Sequence, residues 1–338
     1  MKEISIFLGA NTGRGFRSLY DEYIGQLDLK RLIVIKGSAG CGKSGLMKRI
    51  AKEGADRGER VLRILCSGDP DSLDGVFLPD RGAALFDGTS PHVLEPSLVG
   101  ERGFYADLSR FFTAPASGLA PLEEAYREHY RKAYRYLAAA QEAEEVQRFP
   151  AEAAAAIRQR AKSLAVRTLP LGRESGRVRR YFTDAFTCRG SISLTESRRA
   201  LCPKLITLSG GSDRADLFAQ VFLQEARERG WDAVICPDAR NPERIAHLMI
   251  PAAGVGLTTG EGDRRIRLEK LGPKPDEAER SEDRELKQLR DSLLASAQRE
   301  LSAAKADHDR LEAAIHPRID FRGVDRETER LMRQVFEE

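Results

Sequence analysis

The chain repeats itself, and the repeat constrains the fold more than any other feature. Phe7-Leu8-Gly9-Ala10-Asn11-Thr12-Gly13-Arg14-Gly15 has a counterpart in Phe182-Thr183-Asp184-Ala185-Phe186-Thr187-Cys188-Arg189-Gly190, at an offset of 175 (182 − 7). Leu32-Ile33-Val34-Ile35-Lys36-Gly37 matches Leu205-Ile206-Thr207-Leu208-Ser209-Gly210 at an offset of 173. From Gly58 onward the offset stays at 172: Gly58 with Gly230, Pro70 with Pro242, Pro79 with Pro251, Gly82 with Gly254, Leu85 with Leu257 and Gly88 with Gly260. Glycine and proline dictate backbone geometry, so ordered matches at these residues mark a repeated fold rather than a shared apolar composition. At 338 residues the chain has room for two cores. The expectation is a duplicated domain.

One motif belongs to the first copy alone. Leu32-Ile33-Val34-Ile35 reads as a buried strand, and Leu46, Met47 and Ile50 recur at helical spacing. Between them Gly37-Ser38-Ala39-Gly40-Cys41-Gly42-Lys43-Ser44 fits G-x-x-x-x-G-K-[ST]. Glycines let the main chain approach a phosphate closely with its N–H groups aimed at it, and a helix starting near Lys43 adds unpaired N–H groups and partial positive charge. The candidate nucleotide-binding residues are Gly37, Ser38, Ala39, Gly40, Cys41, Gly42, Lys43, Ser44 and Gly45. Lys43 is expected on the β- and γ-phosphates and the Ser44 hydroxyl on Mg²⁺. The second copy has Ser212-Asp213-Arg214-Ala215-Asp216 in this place, one residue shorter across the loop and without the lysine. Asp213 and Asp216 set negative charge where phosphate would sit, so that copy is expected to bind no nucleoside triphosphate.

Two further stretches point the same way. Ala83-Ala84-Leu85-Phe86-Asp87 reads as a buried strand ending in a carboxylate, a form in which Asp87 can hold Mg²⁺ through water; its counterpart is Thr259. The strand Val61–Leu65 runs into the acidic loop Cys66-Ser67-Gly68-Asp69-Pro70-Asp71-Ser72-Leu73-Asp74, at the carboxyl end of a strand where open α/β sheets bind ligands. Asp69 and Asp71, with Lys43, are the catalytic candidates, and Asp74 shares their loop; any of the three aspartates can orient a water or accept a proton. After Asp87 comes Gly88-Thr89-Ser90-Pro91-His92, with glycine where many ATPases carry a water-activating glutamate. Slow hydrolysis or a phosphoryl acceptor other than water is expected, with His92 open as a base, a substrate contact or a solvated loop residue.

Helical arms follow each α/β part. Pro121 to Phe149 places Leu122, Tyr126, Tyr130, Ala133 and Leu137 on one face, Pro150 opens an alanine-rich helix to about Val166, and Glu277 to Ile315 carries apolar residues at spacings of mostly three and four. The arms pack on each other within the chain or form a coiled-coil interface with a protein partner or a second copy. Arg167 to Arg180, with five arginines against Glu174, reads as a flexible basic linker. Arg14 and Arg189 match between copies, so their shared role is structural. A net charge of +3 gives no electrostatic case for nucleic acid. Five scattered cysteines without a C-x-x-C pair, no signal peptide and no apolar run near the ~20 residues of a membrane span place the chain in the cytoplasm, off the membrane.

On Gly37–Ser44, on Asn11-Thr12-Gly13-Arg14-Gly15-Phe16, on Cys66-Ser67 with Asp69-Pro70-Asp71-Ser72, and on Asp87 to His92, the chain resembles an uncharacterised bacterial family of tandem-repeat P-loop ATPases within the P-loop NTPase superfamily. The resemblance covers nearly the whole length, and this chain departs from it in losing the second phosphate loop. It implies an α/β fold of two tandem three-layer domains, each a parallel sheet with flanking helices and a helical arm. The expected divisions are 1–118 for the active copy, 119–168 for its arm, 169–275 for the degenerate copy, and 276–338 for the second arm and C-terminal segment. It also implies ATP and Mg²⁺ as cofactors and an ATP phosphohydrolase with one competent site. A small-molecule or nucleotide kinase, and an ATP-dependent conformational switch with little turnover, stand as the alternatives.

Overall fold

The computed structural model describes residues 3–115, 117–143, 150–172, 175–272 and 277–337. The first half comprises β1 (Glu3–Ile6), the hairpin of β2 (Gly9–Thr12) and β3 (Gly15–Ser18), α1 (Tyr20–Ile24), β4 (Arg31–Lys36), α2 (Lys43–Asp56), β5 (Val61–Leu65), β6 (Leu73–Leu78), β7 (Ala83–Asp87), β8 (Gly103–Asp107), α3 (Ala120–Ala143) and α4 (Ala151–Thr168). The second half repeats the order: β9 (Val178–Arg180), the hairpin of β10 (Asp184–Thr187) and β11 (Gly190–Ser193), α5 (Thr195–Leu201), β12 (Lys204–Ser209), α6 (Ser212–Glu228), β13 (Ala233–Pro237), β14 (Ile245–Ile250), β15 (Val255–Thr258), β16 (Arg264–Arg267), α7 (Glu277–Ile315) and α8 (Phe321–Phe336). The part of the first arm expected over 144–149 lies outside the described residues.

The two sheets have the same strand order, β1-β5-β6-β7-β4-β8 and β9-β13-β14-β15-β12-β16. Even the register repeats: Ile33 faces Leu85 and Ile206 faces Leu257, the residues matched at offsets 173 and 172. The expected parallel sheet is corrected in one respect, because both sheets are mixed. β6 runs antiparallel to β5 and β7, as β14 does to β13 and β15. Residues 66–72 and 79–82 on either side of β6 are too few for the crossover that a parallel neighbour requires.

Alternation along the central strands decides the layers. Ile33 and Ile35 face the helix side with Leu46, Met47 and Ile50 of α2, whereas Leu32 and Val34 face the other way. On that second side they meet Leu205, Val234, Cys236 and Met249 of the other sheet, with Tyr20, Tyr23 and Tyr181 among them. The sheets therefore share one apolar layer. At its edge Phe7 and Phe182, matched at offset 175, exchange backbone hydrogen bonds of 2.9 Å in both directions, the reciprocal contact expected of two copies about a local twofold axis.

Each half's outer face is closed by a helix that trails the other half. Val324, Leu331, Val335 and Phe336 of α8 join the core of the first sheet and α2, while Ile157, Ala161 and Leu164 of α4 join Phe218 and Phe222 of α6 in the second. The long helices meet each other: Tyr126 of α3 packs on His308 of α7 and His129 on Glu300 (2.7 Å), so the pair runs in opposite directions around Ala133, Leu137, Ala297 and Leu301. The Arg167–Arg180 stretch, read as a flexible linker, is instead tied to the second half through Gly172 N–H on the Arg229 carbonyl (2.7 Å), Arg177 on Asp232 and β9 on β13, residues 173–174 lying outside the description. Among the described residues no helix is long and apolar enough to cross a membrane.

This exchange makes α8 part of the first half's core. Leu331→Ala, which removes a fully buried side chain, should lower stability by about 2–5 kcal/mol in denaturant unfolding. A loss below about 1 kcal/mol would show that α8 does not seal that face.

Candidate functional site

The turn from β4 into α2 takes residues 37–42, and three of them require glycine's backbone: φ is +148° at Gly37, +71° at Gly40 and +96° at Gly42. Gly42 caps α2 without any side-chain acceptor, and no acidic residue stands in the first turn. No carboxylate in the first turn offsets the partial positive charge of this helix start. Ser38, Ala39 and the buried Cys41 fill the turn between the glycines, and Gly45 faces open space in the first turn of α2.

Lys43 and Asp87 meet beneath the loop, and Ser44 turns to the start of β6. Lys43 donates from Nζ to the carbonyls of Gly37 (2.7 Å) and Ser38 (2.9 Å), and lies 3.6 Å from Asp87 Oδ2. Both charges are nearly enclosed, with 12 % and 13 % of their side chains exposed, so their attraction is only weakly screened. The other Asp87 oxygen accepts from the Thr89 amide (2.9 Å) and hydroxyl (2.6 Å), which fixes the carboxylate. Ser44 Oγ accepts the Leu73 amide at 3.0 Å and keeps its own proton to donate.

The acidic loop sorts its three aspartates. Asp69 holds its own turn through Ser72 Oγ (3.0 Å) and lies 3.6 Å from Lys305 of α7. Asp71 points outward and pairs with Arg189 of the second half's hairpin, both side chains more than half exposed. Only Asp74 turns inward: it is 6 % exposed and takes Tyr20 Oη and His92 Nε2 at 3.2 Å each. Burial opposes protonation of His92, but Asp74 outweighs it and raises the ring above the ordinary histidine value. Arg14 and Arg189 share a backbone role, each N–H closing its hairpin turn on the hydroxyl of Thr12 (3.1 Å) or Thr187 (3.0 Å).

Sequence reasoning missed Glu312. This residue of α7 puts Oε1 3.2 Å from the Gly40 amide, and its backbone packs so closely that a Cβ at Gly40 would come within 3.1 Å of its Cα. A carboxylate of the far helix thus takes one of the loop's N–H groups. Nothing local could have shown this, since Glu312 is one of many charges on a long helix 272 residues away in sequence.

The corresponding turn in the second half is built differently. β12 passes into α6 through residues 210–211 alone, and the helix starts at Ser212. Arg244, nearly buried, reaches Asp213 Oδ1 (2.7 Å) and Ser212 Oγ (3.2 Å), so an internal ion pair fills that helix start. Asp216 Oδ1 accepts the Ile245 amide at 2.8 Å, the same contact at offset 172 that Ser44 makes with Leu73. No protein-family model, curated protein or solved structure matches the chain, so what the site does must be read from these residues.

Proposed function

We propose that the first half is a Mg²⁺-dependent, ATP-binding P-loop site of a cytoplasmic phosphohydrolase, and that the second half is a copy without nucleotide. The observation that carries this reading is the Lys43–Asp87 pair at a glycine turn that opens a helix, with Ser44 in the first turn of that helix. The amides from Gly37 to Gly42 take the phosphate oxygens, and Lys43 exchanges its two carbonyl partners for the β- and γ-phosphates. The Ser44 hydroxyl and the Asp87 carboxylate are the hard oxygen donors that Mg²⁺ takes, and they are the residues that would hold it. Held there, it would supply positive charge against the negative charge of the phosphates. Thr89 keeps Asp87 oriented throughout.

Glu312 competes with the nucleotide for the Gly40 amide in this reading. A triphosphate must displace the carboxylate, and its repulsion adds to the cost of binding.

The test is a time course of ADP and phosphate from Mg²⁺-ATP, wild type beside Lys43→Ala, with and without nucleoside monophosphates and sugars. Phosphate released without an acceptor supports a hydrolase, and ADP formed only with an acceptor would make the site a kinase. ATP at 100 times its Kd should stabilise the wild type by about 2.7 kcal/mol and Lys43→Ala not at all; an equal melting shift in both sinks the assignment. Glu312→Gln, which removes the competing charge and keeps the side-chain length, should tighten ATP binding about tenfold, or about 1.4 kcal/mol, by calorimetry. Unchanged or weaker binding would mean that the carboxylate does not compete.

A further inference from the structure

Within reach of the charges of Asp87 and Lys43 the first half holds a second buried cluster that phosphate binding leaves unused. His92 is 7 % exposed and Asp74 6 %, and the two face each other at 3.2 Å through Nε2 and Oδ2. Tyr20 and Phe16 hold the ring, with centroids 4.8 Å and 5.0 Å away, and Tyr20 Oη adds a hydrogen bond to the same aspartate oxygen. Lys36, at the end of β4, anchors the loop that carries the ring by donating to the carbonyls of Gly88 (3.0 Å) and Leu94 (3.1 Å). The other ring nitrogen, Nδ1, is buried and has no hydrogen-bond partner among the described residues. A buried nitrogen left open is costly, and native interiors rarely leave one without a use. The further charges that act on the ring are those of Asp87 and Lys43, the groups placed around the nucleotide.

The second half provides a contrast. It too holds a buried histidine on an aspartate, His247 Nε2 at 2.8 Å from Asp184, but there Nδ1 is closed by Thr258 Oγ1 at 2.8 Å. That ring has both nitrogens satisfied and serves packing. The second half crosses from β15 to β16 through residues 259–263, where the first takes residues 88–102, and so has no counterpart of the loop that carries His92. Asp74 is matched by Ala246, so the pair is missing from the half that also lacks Lys43 and Asp87.

We propose that His92 and Asp74 form the proton-accepting pair of this site, with His92 Nδ1 as the base toward a water or hydroxyl acceptor and Asp74 as the positioning residue behind it. The inference rests on the nucleotide reading above. In the step, the O–H proton of the acceptor passes to Nδ1 while the oxygen's electron pair forms the new bond to the γ-phosphorus. The bond from that phosphorus to the bridging β–γ oxygen breaks, ADP leaves with the electron pair, and the imidazolium later returns its proton to solvent. Asp74 accepts from Nε2–H, which fixes the tautomer with Nδ1 free and stabilises the imidazolium as it forms. Through this pair the site does without the glutamate that Gly88 replaces.

The test uses the full chain with His92→Gln and Asp74→Asn. His92→Gln should slow ADP formation about a hundredfold or more while the ATP Kd from calorimetry stays at the wild-type value. The base must be neutral, so the wild-type rate should rise with pH through a midpoint above the ordinary histidine value of about 6.5, and this acidic limb should vanish in His92→Gln. Among the five histidines, the ring resonance that His92→Gln removes should titrate at that same midpoint in the wild type and lower in Asp74→Asn. Water and hydroxyl are distinguished by whether ADP forms with no acceptor added. Wild-type turnover in His92→Gln overturns the proposal, and so does a slowed variant that keeps the acidic limb. A wild type that binds ATP but forms no ADP with any acceptor overturns it as well. If the wild type binds no ATP, the nucleotide reading itself fails and the pair falls with it. Should His92→Gln melt early, Asp74→Asn decides by the same rate, limb and resonance.

Discussion

Neither sheet can bury both of its faces with its own half of the chain, and the molecule is organised around that constraint. One face of each sheet is covered by the other sheet, through Leu32, Val34 and Phe86 on one side and Leu205, Val234 and Met249 on the other. The opposite faces are covered by α2 and α6, and over these lie α8 and α4, each supplied by the other half. Burial of this kind contributes roughly 25 cal/mol for each Å² of apolar surface withdrawn from water, and the layer between the sheets and the contacts of α8 and α4 join the two halves. The halves consequently fold as one unit, and the second is indispensable to the first whether or not it binds anything. It brings α7 across the glycine loop and the β10–β11 hairpin against the acidic loop, where Asn11 amide hydrogens reach both the Ser67 carbonyl (3.1 Å) and the Phe186 carbonyl (3.0 Å).

Electrostatics at the loop follows from that enclosure. Lys43 is surrounded by acceptors, two carbonyls and a carboxylate, and the Gly40 amide is held by Glu312, so the loop's strongest donors are already partnered within the chain. Such partners spare the interior the cost of a buried unpaired charge. Of these four partners two are neutral carbonyls, and the two carboxylates are the nearly enclosed Asp87 and the half-exposed Glu312 of the far helix.

Much of this was legible in the residues. The strand, glycine turn and helix from Arg31 to Asp56, the strand ending at Asp87 and the helix Glu277–Ile315 all have local causes: β-branched runs, positive-φ glycines and apolar spacing. The repeat could be followed because glycines and prolines fix backbone geometry. The antiparallel course of β6 could not, because Leu73-Asp74-Gly75 begins a fully buried strand with a carboxylate that distant partners, His92 and Tyr20 among them, make tolerable. The exchange of α4 and α8 was hidden for a different reason: an apolar helix face states that it must be buried and not against which sheet. Glu312 and the His92–Asp74 pair are contacts across 272 and 18 residues, and spacing carries no signal for either.

The divergence of the halves separates what the shared fold needs from what the first site needs. At the start of each central helix a side-chain oxygen accepts the amide that begins the next strand, Ser44 for Leu73 and Asp216 for Ile245. An acceptor is therefore required by the fold, and aspartate meets that requirement as well as serine does. The contact does not explain why the first half has a hydroxyl, which keeps a proton to donate and brings no charge, at the residue after Lys43. Where the second half closes its turn with Arg244 and Asp213, the extra acid at position 216 costs little. In the first half a carboxylate at position 44 would add negative charge to the first turn of α2 and oppose any anion on the loop. The hydroxyl is thus set by what the loop is proposed to hold, and the hydrogen bond to Leu73 is set by the fold.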